Sequence, residues 1–130
     1  MKIDHIGLYV NDLEGARAFF IKYFGCECSG MYHNKKTDFK SYFLKFSDGS
    51  RLEVMTRPGV KPCLPQKEGE YEAGFAHIAI GTGSREEVDR LTGLFRAAGF
   101  NVLSGPRTTG DGYYESVIEG FEGNLLELTV

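Results

Sequence analysis

No apolar run in this 130-residue chain reaches the roughly 20 residues that a membrane-spanning helix needs. The N-terminal Met1-Lys2-Ile3-Asp4-His5 lacks the apolar core of a secretory leader, so a cytoplasmic location and no membrane partner are expected. Positive charge is not in surplus. Fifteen Lys and Arg against eighteen Asp and Glu leave a net charge of −3, which gives no electrostatic case for nucleic acid. Cysteine is scarce. Cys26, Cys28 and Cys63 make an odd count, which reads as reduced thiols, and Cys26 and Cys28 are not expected to bond each other. The chain has no GxGxxG, no P-loop and no GxSxG, so nucleotide-phosphate cradles and a hydrolase elbow are not indicated. The Asp48-Gly49 and Gly110-Asp111-Gly112 steps are turn chemistry. What remains is globular composition, 42% hydrophobic and 25% charged, in a length that suits one domain or two small modules. Seventeen glycines suggest many turns between short elements.

The two halves resemble each other. Asp4-His5-Ile6-Gly7-Leu8-Tyr9-Val10 is matched by Ala76-His77-Ile78-Ala79-Ile80-Gly81. A helical pattern follows each: Leu13, Ala16, Phe19-Phe20 and Tyr23-Phe24 in the first half, Val88, Leu91, Leu94-Phe95 and Ala98 in the second. Ser84 with Glu87 three residues on is a capping box, and Gly25 and Gly99 offer left-handed stops. Each half closes on a turn and strand, Ser47 to Val54 and Phe121 to Leu128. The histidines are offset by 72 residues and the glutamates by 74, so only small loop changes separate the copies. The pattern predicts strands near 2–10, 26–32, 39–46, 50–56, 75–81, 100–104, 112–119 and 124–130, and helices near 12–24 and 84–98. Two βαβββ modules, about 1–57 and 75–130, are joined by a linker at about 58–74; the fold class is α+β with helices on one sheet face.

Strand alternation sorts the side chains. Ile6, Leu8 and Val10 are expected under the first helix, with His5, Gly7 and Tyr9 opposite. Ile78 and Ile80 face the second helix, with His77 opposite. Leu52 and Val54 pack inward, as do Leu126, Leu128 and Val130, which turns Glu53 and Glu127 to the uncovered face. A lone strand histidine or glutamate is ordinarily just a solvated residue. Here one His and one Glu recur in each module, on the same expected face. Two imidazoles and two carboxylates converging on one point carry a charge of −2. Two unit charges about 4 Å apart repel by roughly 4 kcal/mol at an effective dielectric near 20. Such a site calls for a proton or a cation, and a divalent ion neutralises it. Mixed nitrogen and oxygen ligands suit Zn²⁺, Ni²⁺, Co²⁺, Fe²⁺ or Mn²⁺. Four protein ligands with water positions left open suit a catalytic metal. Other residues read more plainly. His33 lies in a polar loop, and Cys63 in the linker has no obvious base nearby. Tyr42, Tyr113 and Tyr114 either line the same cavity or pack the sheet. Arg57 and Arg107 are solvated unless they meet an anionic substrate.

These residues resemble the vicinal oxygen chelate superfamily, which includes glyoxalase I. The likeness runs over essentially the whole chain and rests on His5 in Asp-His-Ile-Gly-Leu-Tyr-Val, Phe24-Gly25, Glu53 in Arg-Leu-Glu-Val-Met, His77 in Phe-Ala-His-Ile-Ala-Ile, and the closing Gly123-Asn124-Leu125-Leu126-Glu127-Leu128. The resemblance implies paired βαβββ modules whose sheet curves around a metal held by His5, Glu53, His77 and Glu127, as in bacterial glyoxalase I. It implies a lyase or isomerase acting through an enediolate on a small substrate with two adjacent oxygens, such as a 2-oxoaldehyde thiol adduct. Glu127 is the expected proton-transferring base, with Glu53 its near-symmetric counterpart. A homodimer is expected, and the site is either closed within a chain or shared between two. The positions that help hold glutathione in glyoxalase I are Tyr9 and Arg57 here, so the thiol is left open. The last-strand turn reads Gly120-Phe121-Glu122-Gly123 where the family often has Asp-Pro-Glu-Gly. The same superfamily contains fosfomycin-resistance thiol transferases, extradiol dioxygenases, methylmalonyl-CoA epimerase and metal-free antibiotic-binding proteins of the bleomycin-resistance type. Glu53 as a fourth ligand sets this chain apart from the transferases and dioxygenases, which use three, and from the epimerase, which carries Gln there.

Overall fold

A computed structural model of the chain describes residues 1–62 and 73–130. The chain divides into two compact units, residues 1–62 and 63–130. The greater part of the linker expected at 58–74, Cys63 included, lies outside the described residues.

In the first unit, β1 (Ile6–Tyr9) leads into α1 (Leu13–Phe24), followed by β2 (Glu27–Cys28), β3 (Tyr32–Asn34), β4 (Phe39–Lys45) and β5 (Arg51–Thr56). Asp12 starts the helix by accepting a hydrogen bond from the Gly15 N–H at 2.9 Å, and Gly25 ends it in the left-handed conformation, φ 64°. The sheet order is β1-β5-β4-β2, with β3 also on β4. β1 runs parallel to β5 and the other pairs are antiparallel. α1 lays Leu13, Ala16, Phe19 and Phe20 on Leu44, Leu52 and Val54, all buried. Truncating Phe20 to Ala would cost about 3–5 kcal/mol by emptying that layer.

The second unit repeats the plan: β6 (Ile78–Gly81), α2 (Arg85–Ala97), β7 (Val102–Thr108), β8 (Tyr114–Glu119), a 3₁₀ turn at Phe121–Gly123, and β9 (Leu125–Thr129). The order is β6-β9-β8-β7, and β6 is again parallel to the last strand. Ser84 caps α2 by accepting from the Glu87 N–H at 3.2 Å. Val88, Leu91 and Phe95 pack over Ile118, Leu126 and Leu128.

The α+β plan and both helices stand as the sequence implies, with four differences. The strands expected at 2–10 and 75–81 are each four residues long, so His5 and His77 precede them. The strand expected at 26–32 is split, because Ser29 lends its hydroxyl to the Phe43 N–H at 3.0 Å where a ladder carbonyl would stand. The strand expected to stop at 104 runs to Thr108. It is an edge strand, where Pro106 costs no ladder bond to a further neighbour, and two register shifts absorb the irregularity. Gly105 sits there with φ 84°, and a Cβ would come within 2.4 Å of the Glu115 carbonyl oxygen. Finally, Ile6 and Val130, expected to pack, are 39% and 43% exposed, because Ile6 opens β1 and Val130 lies just past the end of β9.

Candidate functional site

Register fixes the site residues identically in both units. In the parallel pair β1–β5, Gly7 lies opposite Glu53; in β6–β9, Ala79 lies opposite Glu127. The histidine is two residues before that position in each case, so it comes up on the same face as the glutamate. His5 Nε2 is 3.6 Å from Glu53 Oε2, and His77 Nε2 is 3.4 Å from Glu127 Oε2. The carboxylates are the shielded partners, 16% and 17% exposed, against 36% and 40% for the imidazoles. The two repeated stretches of chain therefore build the same pair twice.

The His77–Glu127 separation matches that of two donors on one ion, and the His5–Glu53 separation is slightly longer. Both separations exceed the ordinary N–H···O range. Donors bound to one ion at about 2.1 Å stand about 3.0–3.4 Å apart between octahedral and tetrahedral angles. Within each unit, among the described residues, no third His, Cys, Asp or Glu completes a group of three ligands.

The two pairs differ in what stands behind the histidine. Asp4 Oδ2 accepts the His5 Nδ1–H at 2.9 Å and also accepts from the Arg51 guanidinium. The hydrogen bond from His5, then the charge of Arg51, hold the Asp4 carboxyl below the usual carboxylate range. Phe43, opposite Glu53 in register, meets the His5 ring edge to face, centroids 5.1 Å apart, and carries the Arg51 guanidinium 5.0 Å over its own ring. Sequence reasoning missed Asp4, Arg51 and Phe43 as site residues. The available signal was the mismatch between the halves: Asp4 against Ala76, and Arg51 against Leu125.

Other candidates fall elsewhere. Tyr42 donates to Glu14 Oε1 at 2.6 Å and Tyr114 to Asp89 Oδ1 at 2.7 Å, each tying its sheet to the covering helix on the face away from the His–Glu pair. These bonds raise both phenol pKa values. Tyr113 is exposed. His33 belongs to β3, not to a loop, and pairs with Asp38 at 2.8 Å. Arg107 is engaged by Ser104 and Glu115. Cys26 and Cys28 are free thiols. Tyr9 and Arg57, four residues along from His5 and Glu53, line a cavity of about 530 Å³ with Pro58, Gly59, Val60 and Lys61. No described helix is long and apolar enough to cross a membrane.

Comparison with known proteins agrees with this architecture. A sequence model of the Glyoxalase/Bleomycin resistance protein/Dioxygenase superfamily matches residues 2–128. The uncharacterized protein YqjT of Bacillus subtilis (strain 168) is 30% identical over 132 residues, covering 95% of this chain and 94% of its own. The solved structure of a possible glyoxalase from Bacillus cereus is 29% identical, with a TM-score of 0.69 over 100% of this chain and 99% of that one. The fosfomycin resistance protein FosX of Listeria monocytogenes, solved with Mn(II) and sulfate, shares the fold at 23% identity and a TM-score of 0.70, over 99% of this chain and 91% of that one.

Proposed function

The chain belongs to the Glyoxalase/Bleomycin resistance protein/Dioxygenase superfamily, and from that membership we propose that it is a metal-dependent lyase or isomerase of the glyoxalase type. The substrate is a small molecule with two adjacent oxygens, such as a 2-oxoaldehyde thiol adduct. The observation that carries this reading is the duplicated His–Glu pair, set by the same register in both units at 3.6 and 3.4 Å.

His5, Glu53, His77 and Glu127 are read as the ligands of one divalent ion, Zn²⁺, Ni²⁺, Co²⁺, Fe²⁺ or Mn²⁺. The solved FosX complex holds Mn(II), within that range. When bound, the ion supplies Lewis-acid polarisation to the paired substrate oxygens. The imidazoles offer Nε2 as neutral ligands, so the two carboxylates alone balance the charge of the ion. Glu127 takes a proton from one substrate carbon and returns it to the neighbouring one, with Glu53 as its near-symmetric counterpart. The two pairs serve one ion either within a chain or across a symmetric homodimer, and the homodimer is favoured because closed two-fold assemblies are the commonest. Tyr9 and Arg57 stand where glyoxalase I holds glutathione, so the thiol is to be found by trial.

Elemental analysis of gently purified protein tests the reading. The expected result is close to one divalent ion per chain. Less than about half an ion per chain, with no uptake on dialysis against Zn²⁺, Ni²⁺ or Mn²⁺, would instead indicate a metal-free binding protein. A screen of 2-oxoaldehydes with several thiols then identifies the substrate.

A further inference from the structure

The two histidines have the same glutamate geometry and different support. His5 sits in a closed ring of contacts: Asp4 on Nδ1, Arg51 on Asp4, Arg51 over Phe43, and Phe43 against the imidazole. In the second unit the corresponding positions are Ala76, Leu125 and Val117, the last opposite Glu127 in register as Phe43 is opposite Glu53. None of the three can donate to, accept from or stack on an imidazole.

The consequence follows from proton counting. A carboxylate only accepts, so Asp4 requires the proton of a neutral imidazole to be on Nδ1. That leaves Nε2 bare, and Nε2 is the atom facing Glu53 at 3.6 Å. A lone pair then faces a carboxylate with no proton between them. The arrangement is unfavourable by itself and favourable once a cation lies between. His77 has no such partner on Nδ1 in its first-strand neighbour, so the Glu127 carboxylate facing its Nε2 at 3.4 Å favours the proton on Nε2. The Asp4–Arg51 couple is neutral overall, so it orients His5 without changing the net charge that the ion must balance.

We propose that Asp4, held by Arg51, is a positioning residue that fixes His5 in the tautomer with Nε2 bare, so that His5 is the prearranged ligand of the pair of histidines and His77 bares its Nε2 only when the ion arrives. This rests on the metal reading above and adds an asymmetry to it. Outer partners of this kind typically change metal affinity by about 10–100-fold when removed.

The test uses the full chain and two readouts. Nitrogen-15 NMR of the metal-free protein reports the tautomer of each histidine. Zn²⁺ titration against a competing chelator reports affinity. The expected results are a single Nδ1–H tautomer for His5 and a predominant Nε2–H tautomer for His77. In Asp4→Ala the His5 signal should shift toward the Nε2–H tautomer and Zn²⁺ affinity should fall about 10–100-fold. Asp4→Asn, whose amide oxygen still accepts, should recover the tautomer and most of the affinity. Asp4 is exposed, so these variants should keep the parent melting temperature; Arg51→Gln gives an independent weakening of the same contact. A wild-type protein that takes up no Zn²⁺ overturns the metal reading. A wild type that binds Zn²⁺, with Asp4→Ala unchanged in both tautomer and affinity, leaves that reading standing and overturns the positioning role.

Discussion

Ser116 and Thr92 meet hydroxyl to hydroxyl at 2.5 Å in the buried interior of the second unit. Thr92 spends its own hydrogen on the Val88 carbonyl at 2.6 Å, so Ser116 is the donor between the two. The pair joins the middle of α2 to β8 at a point where water has no access.

Removing one partner should therefore cost more than removing the other. Thr92→Val keeps the shape and strands the Ser116 hydroxyl, at a cost of about 1–3 kcal/mol. Ser116→Ala leaves Thr92 bonded to Val88 and should cost about 0.5–1.5 kcal/mol. The double variant should lose less than the sum of the two. Urea denaturation of the three variants checks this, and additivity would show that the hydroxyls do not interact.

Cys26 is buried at the foot of α1, and burial, with Cys28 a lesser contributor, pushes its thiol up to about 11. Cys28 is half-buried. Iodoacetamide at pH 8 followed by peptide mass spectrometry should label Cys28 well before Cys26. The folded value lies above the ordinary 9.0 of an unfolded thiol. The folded state therefore holds this proton more tightly, and the contribution is complete below pH 9.0 and lost as pH rises through about 11. Cys26→Ala should flatten that alkaline decline in a melting-temperature series between pH 8 and 11.

Period-two and period-3.6 patterning made the modules legible because each helix buries one stripe and each sheet one face. The apolar sets of α1 and α2 are the ones the spacing picks out. Local hydrogen bonding was not legible. Nothing in the composition of residues 26–32 says that the Ser29 hydroxyl will replace a backbone carbonyl and break the strand. The strand pattern ended at residue 104, whereas an edge position lets β7 continue through Pro106. At the site, the repeat pointed to His5, Glu53, His77 and Glu127, because duplication is a sequence property. The Asp4–Arg51–Phe43 support escaped because it is where the two copies differ, and its contacts join residues up to 47 positions apart.

Glu127→Gln keeps an oxygen toward the site and removes the base. Turnover with the substrate found by screening should fall by at least about 100-fold, the lower end of what a positioned acid–base group contributes. Metal content should stay above half of the parent value, since three ligands remain. Glu53→Gln should lower metal content similarly and turnover less. Parallel elemental analysis and initial rates on the two variants decide between the roles: equal losses of turnover would make the glutamates interchangeable, and full activity in Glu127→Gln would remove it as the base.

Arg57 and Lys61 put two cationic side chains on the wall of the cavity that Tyr9 also lines, four residues along the chain from the His–Glu pair. At about 3.3 Å per strand residue, that is roughly 13 Å from the pair. A substrate reaching from the pair to the cavity would place its distal end, not its reacting carbons, beside the guanidinium. An Arg contact with a carboxylate is worth about 1.5–3 kcal/mol, most of it made equally in ground and transition states. Arg57→Ala should therefore raise KM by about tenfold or more for a thiol adduct bearing a carboxylate and leave kcat within about twofold. For an adduct of a neutral thiol both constants should hold. Steady-state kinetics on one anionic and one neutral adduct separate the cases. An equal loss on both would mean that Arg57 supports the cavity wall and does not select charge.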